Sequence, residues 1–254
     1  MKRTMIASAL VVGLYAGTAA AADLPVGPAG TPWAPLIDTW TGFYIGVNAG
    51  GARSDNTVAY AQLGTPGFAS ASFTNTSAVG GAQAGFNWQM ASFVVGVEID
   101  LDGRRWTASS TSAPLAGNAI DLVTLSQNEN WLGTARGRLG FAWGDALLYA
   151  TGGAAAGEVE HSVTEFRVTT GDTRNLTDSP TKIGCVVGAG LEYRVWGNVS
   201  VGVEYLHVDL GNTTLTNTAS IVGGTVFPPS QATFTDRSDI VRARLNWLFG
   251  GASY

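Results

Sequence analysis

From residue 40 onward, apolar and polar positions alternate with a period of two in a series of separate segments. In 43–50 (FYIGVNAG), Phe43, Ile45, Val47 and Ala49 share one face, and Tyr44, Gly46, Asn48 and Gly50 share the other. In 79–89, Gly80, Ala82, Ala84, Phe86 and Trp88 alternate with Gly81, Gln83, Gly85, Asn87 and Gln89. In 93–102, Phe93, Val95, Val97, Ile99 and Leu101 oppose a row that ends in Glu98, Asp100 and Asp102. Segment 131–143 carries Arg136 and Arg138 on its polar face, with Leu139 and Phe141 on the apolar one. Segment 146–157 is apolar on both faces, so its orientation stays open. In 182–195, Ile183, Cys185, Val187, Ala189, Leu191 and Tyr193 oppose Lys182, Glu192, Arg194 and four intervening small or apolar residues. In 199–209, Val201, Val203 and Tyr205 oppose Ser200, Gly202 and Glu204. In 240–249, Val241, Ala243, Leu245, Trp247 and Phe249 oppose Arg242, Arg244 and Asn246. Successive side chains of a strand point to opposite faces, so this pattern predicts eight strands and no helix.

The connections carry a second period. Three links are very short: 90–92, 144–145 and 196–198. They alternate with four long polar stretches, 51–78, 103–129, 158–181 and 210–239, which read as loops. Short turns at one end and long loops at the other is the asymmetry of a transmembrane β-barrel. Of the eight tryptophans, Trp40, Trp88, Trp143, Trp196 and Trp247 fall at the short-turn end, close to Phe249 at the end of the last strand. Amphipathic rings gathered at one rim predict an aromatic girdle at a membrane interface.

Composition fixes the compartment. Lys2 and Arg3 precede a short apolar stretch over 5–17 and the small residues 19–22, the pattern of a cleavable export signal over 1–22 with cleavage after Ala21 or Ala22. Loss of Lys2 and Arg3 takes the formal charge from −5 to −7, which argues against a nucleic-acid partner. Residues 23–39 are rich in Pro and Gly and read as an irregular periplasmic lead-in, leaving 40–254 for the barrel. Only 13% of residues are charged, too few to clothe an ordinary soluble surface. No later apolar run reaches the roughly 20 residues of a membrane helix, so spanning falls to strands. Cys185 is the single cysteine, and no intrachain disulfide exists.

Alternation alone does not choose the outer face, because a soluble lipocalin-type barrel alternates with its apolar face inward. The polar face mixes glycine with charges of both signs: Glu98, Asp100, Glu192 and Glu204 against Arg136, Arg138, Lys182, Arg194, Arg242 and Arg244. Buried charges need such pairing, and the interior of an eight-strand barrel is only wide enough for side chains. Turning six bases to lipid would cost on the order of 10–20 kcal/mol, comparable with the whole stability of a domain. The apolar face is therefore expected outward, with these ten side chains in the lumen.

The motifs WTGFYIGVNAG (40–50), NWLGTARGRLGFAWGDALLYATGG (130–153), TKIGCVVGAGLEYRVWGNVSVGVEYLHVDLG (181–211) and VRARLNWLFG (241–250) together resemble the small outer-membrane immunogenic protein family of rhizobial and related bacteria. That family is grouped with OmpA-like eight-stranded barrels and is often labelled a porin family. The resemblance implies outer-membrane location, surface exposure and no enzymatic role. Two features depart from it: Cys185 stands where an aromatic residue is common, and the chain continues past Phe249 as GGASY.

Little else suggests chemistry. The Gly-rich 151–157 and 188–190 lack the Gly-Lys-Ser/Thr ending of a phosphate loop. Asp100, Asp102 and Gly103 start like a calcium loop, but the rest of its spacing is missing. Glu98, Asp100 and Asp102 read as lumen ion-pair residues, with a cation site at the outer mouth as the alternative. His207 with Asp209 would form a rim pair, without a serine placed beside it, and His161 reads as solvated. No catalytic, cofactor or metal site is expected. The expected role is an envelope anchor that displays loops; the alternatives are a narrow porin for small solutes and loop-mediated binding of haem, lipopolysaccharide or a host surface. Expected partners are outer-membrane lipid, lipopolysaccharide and the barrel assembly machinery.

Overall fold

The computed structural model describes residues 40–62, 68–112, 121–168, 170–178 and 181–249. The expected export signal, the lead-in over 23–39 and the GGASY tail lie outside them. The strands are β1 (Gly42–Gln62), β2 (Phe68–Met90), β3 (Phe93–Ser112), β4 (Asp121–Trp143), β5 (Ala146–Arg167), β6 (Thr173–Asp178), β7 (Thr181–Trp196), β8 (Val199–Asn217), β9 (Ser220–Val222), β10 (Thr225–Phe227) and β11 (Ser230–Leu248).

Eight of these form an antiparallel meander in the cyclic order β1, β2, β3, β4, β5, β7, β8, β11. The β1–β11 ladder, from Tyr44↔Leu248 to Gln62↔Ser230, closes the ring. Within the membrane level every strand is paired on both sides, so backbone donors and acceptors are satisfied without water. The short links at Ala91, Gly144 and Gly197 turn at the periplasmic end. Ala91 and Gly144 supply them with positive φ.

The outward row is apolar over the first ten or so residues from that end. Val97 is 64% exposed and Ile183 is 78% exposed, and with Ile45, Leu139, Val203 and Val241 they form a continuous belt. Trp88, Trp143, Trp196, Trp247 and Phe249 stand exposed on the same face at its lower rim. Strand β5, left unoriented by its sequence, turns Leu147, Tyr149 and Ala155 inward and Leu148 outward.

Above the belt the ladders continue. The stretch 51–62, read from sequence as the start of a loop, is the outer arm of β1 and stays paired with β2 and β11 to its end. The outer arms of β4, β5 and β11 also keep a partner on each side, whereas those of β3 and β8 continue with one neighbour each, as Thr111↔Thr124 and Thr216↔Gln231 attest. Period two persists here, but the outward row becomes Thr, Ser, Asn and charge. A pattern that searches for apolar against polar is blind to polar against polar.

The interior is layered. At the periplasmic end Trp40, Tyr44, Val94, Ala142, Leu147, Tyr149 and Leu248 form an apolar floor. A layer of ionised side chains lies above it. A second apolar layer, including Ala52, Leu132, Val186, Leu206 and Ile240, covers the charges. A third apolar cluster of Val58, Tyr60, Val163, Ala232 and Phe234 fills the outer arms.

Candidate functional site

The ionised layer is built from one inward position after another on neighbouring strands. Register places Glu98 opposite Arg136, Asp100 opposite Thr134, and Glu204 opposite Arg242. Room for such long side chains comes from inward glycines. Gly85 faces both Tyr44 and Glu98 across the sheet, and a Cβ there would sit 2.4 Å from the Tyr44 hydroxyl. Gly190 stands in the same relation to Tyr149, at 2.3 Å. Each bulky inward residue thus occupies space that a cross-strand glycine vacates.

Eight of the ten side chains expected in the lumen meet in one network. Arg136 holds Glu98, Asp100 at 2.5 Å and Glu204 at 3.1 Å. Arg138 holds Glu192 at 2.7 Å and Glu98 at 3.5 Å. Arg242 bridges Asp102 at 2.6 Å, Glu204 at 2.7 Å and Asp100 at 3.1 Å. Arg244 holds Glu98 and, at 2.7 Å, Glu204. The two remaining residues sit elsewhere. Lys182 lies on a higher level, paired with Asp236. Arg194 lies below, its guanidinium 4.9 Å from the Trp40 ring.

Several members escaped the sequence reading. The Tyr44 hydroxyl donates to Glu98 at 2.5 Å and accepts from Arg138 at 2.8 Å. The Tyr149 hydroxyl donates to Glu204 at 3.0 Å and accepts from Arg244 at 2.9 Å. Asn48 donates to Gln83 and Asp102, and Gln83 donates to Asn246. Parity marked Tyr44, Asn48, Gln83 and Asn246, which lie on the polar faces of their strands, but not Tyr149, whose strand is apolar on both faces. Their neutral side chains did not announce themselves as partners of charge.

Trp40 departs from the expected girdle. It is 1% exposed and packs into the floor of the barrel, and its backbone N–H donates to Gln89 Oε1 at 2.7 Å. It has the same parity as Tyr44, so its ring enters the lumen where the other four tryptophans leave it. His161 departs too. The sequence placed it in a solvated loop, yet on the outer arm of β5 it is fully buried against Phe234, ring centroids 4.3 Å apart. Its Nε2 is 3.5 Å from Asp236. Burial pushes the Asp236 carboxyl up, but hydrogen bonding and charge from His161 and Lys182 outweigh that and hold it below the usual carboxylate range. His207 pairs with Asp239 at 2.8 Å across the sheet, not with Asp209, whose carboxylate takes Arg237 at 2.9 Å and the Gly211 N–H at 2.8 Å.

What the network offers chemically is mutual neutralisation. Asp100 and Asp102, read from sequence as lumen ion-pair residues, both receive Arg242. Among the described residues no group of three or more His, Cys, Asp or Glu side chains is placed to hold a metal ion. Cys185 lies exposed on the apolar belt.

Comparison with known proteins places this architecture. The family model described as "Outer membrane protein beta-barrel domain" matches residues 7–226. The chain is 34% identical over 235 residues to the 31 kDa outer-membrane immunogenic protein of Brucella melitensis, covering 85% of this chain and 90% of that protein. It is 32% identical over 193 residues to the 22 kDa outer membrane protein of Rhizobium leguminosarum bv. viciae, covering 74% and 69%. Among solved structures, Neisserial surface protein A aligns at 17% identity and a TM-score of 0.39, over 82% of this chain and 98% of that one.

Proposed function

The chain belongs to the outer membrane β-barrel family, and from that premise we propose that it is a sealed, non-catalytic anchor that displays its outer arms and their connecting loops at the cell surface. The observation that carries this reading is the Arg242 guanidinium. It stands in the middle of the lumen, held by Asp100, Asp102 and Glu204, with none of the four side chains exposed. Apolar layers lie on either side of it.

A solute path would have to break this network and both layers. Each ion already has its partners, and removing one partner from a buried pair costs about 3–5 kcal/mol. That cost argues against a narrow porin. Loop-mediated haem binding has little support, since His161 is buried beneath Phe234 and not presented to solvent. Outer-membrane lipid and lipopolysaccharide would surround the belt, and the barrel assembly machinery would insert it.

Planar-bilayer recording of the refolded protein tests the proposal. A sealed anchor gives no stable unitary steps at moderate voltage. Reproducible steps of one size would overturn it in favour of the narrow pore.

A further inference from the structure

Above the membrane belt the ring is not continuous. The β7–β8 ladder runs outward only as far as Cys185↔Asp209. Two residues later Gly211 takes a positive φ of 75°, and its N–H is captured by the Asp209 carboxylate at 2.8 Å. From there the outer arm of β8 follows β11 alone, from Asn212↔Thr235 to Asn217↔Ser230. On the other side, β6 occupies the place above β7. It pairs with β5 from His161↔Asp178 to Phe166↔Thr173, while the opposite edge of β5 is taken by β4. Among the described residues no ladder joins β6 to β8, and β6 ends the sheet.

Two strand edges therefore lie on either side of a seam with no ladder across it. In each, alternate residues spend their N–H and C=O on the laddered neighbour, and the others direct theirs into the seam. Such free edges are templates for another strand. Three further features suit a guest strand. Leu176 and Leu215 line the inner side and pack against the Val58 and Phe234 cluster, which gives apolar contacts to every second residue. Asn212, Thr214 and Thr216 line the outer side and are exposed, so the remaining residues would be polar. The Asn217 amide Nδ2 is buried with no acceptor, at the far end of the arm. Arg174 limits the opening, reaching over it from β6 to Ser220 Oγ at 3.1 Å while anchored to Glu165 at 2.5 Å.

We propose that this seam is a strand-addition site. An extended segment of a foreign polypeptide, about six residues long, pairs antiparallel with the outer arm of β8 over 212–217. Its alternate side chains are apolar toward Leu176 and Leu215 and polar toward Thr214 and Thr216. The proposal rests on the outer arms facing the exterior, but its test does not, because it is run on the full chain refolded in detergent.

The probe is a fluorescein-labelled peptide QATFTDRS, copied from residues 231–238, whose own strand is the existing partner of that arm. Without peptide, hydrogen exchange in 173–178 and 212–217 should show alternate amides exchanging on the order of 100-fold faster than those of 52–61, which are paired on both sides. The peptide should bind saturably and slow those amides. The same peptide N-methylated at alternate positions should do neither. Uniform protection of both arms without peptide, absence of binding, or equal binding by the N-methylated peptide would each overturn the proposal.

Discussion

Arg242 and Glu204 are direct cross-strand partners on β11 and β8, and the guanidinium grips the carboxylate through Nε at 2.9 Å and Nη2 at 2.7 Å. The same guanidinium reaches Asp102 and Asp100 on the far wall. One side chain thus ties β11 to both β8 and β3. Arg242→Ala would leave three buried carboxylates short of a partner. A loss of about 3–5 kcal/mol is expected in urea unfolding from lipid vesicles, with heat-modified gel migration shifting at a lower temperature. Glu204→Gln removes one of the acids and should cost less. Equal, negligible losses in both variants would mean that the network is not what holds the walls together.

The second expectation concerns space. Gly85→Val would drive a Cβ to within 2.4 Å of the Tyr44 hydroxyl and 2.6 Å of the Val97 carbonyl. Backbone cannot yield there, so refolding yield should fall sharply. Gly137→Ala, on the outward face with its nearest neighbour 3.9 Å away, should refold like the parent. The pair of refolding yields checks whether inward glycines are places left empty for the charged side chains.

A third concerns the limits of the belt. Val97→Arg puts a charge on the lipid face near mid-strand and should cost roughly 2–4 kcal/mol. Thr57→Arg, exposed on the outer arm of β1, should change stability by less than about 0.5 kcal/mol. Urea unfolding of both variants in the same vesicles makes the comparison. Similar costs would place the bilayer elsewhere on the barrel.

Much of this architecture was legible in the chain because lipid imposes a strict rule. Ile45, Val97 and Leu245 had to alternate with Asn48, Glu98 and Arg244 once one face met hydrocarbon. The ionic residues of the lumen followed from the same parity. The rule lapses where the solvent becomes water. The outer arm of β1 alternates Ala52, Ser54 and Asn56 with Arg53, Asp55 and Thr57, all tolerable on either face of a wet sheet, so it read as a loop. Trp40 shows the other limit. Its proximity to the rim suggested a girdle residue, while its parity with Tyr44 already pointed inward. The burial of His161 depended on partners distant in sequence, Phe234 and Asp236, which no local pattern joins.

The Asp236 site gives a pH dependence with a definite sign. Its folded carboxyl is held below the ordinary range by His161 and Lys182, against burial that pushes it up. Its stabilisation is therefore full above the unfolded value of about 4 and is lost as pH falls through the depressed one. Amide exchange in 158–163 and 232–236, corrected for intrinsic rates, should accelerate on going from about pH 7 to about pH 3. Asp236→Asn should show the faster exchange already at neutral pH and little change on acidification. A wild-type arm that stays equally protected would contradict the assignment.

The most direct measurement uses one thiol on the outward face. In a Cys185→Ser, Val97→Cys variant, an environment-sensitive fluorophore on position 97 is refolded into vesicles whose acyl chains carry bromine near their middle. Strong quenching by the brominated lipid and none by aqueous iodide is the expected result. Quenching by iodide, with none from the lipid, would mean that the apolar row does not face the hydrocarbon and that the charges do not occupy the sealed interior.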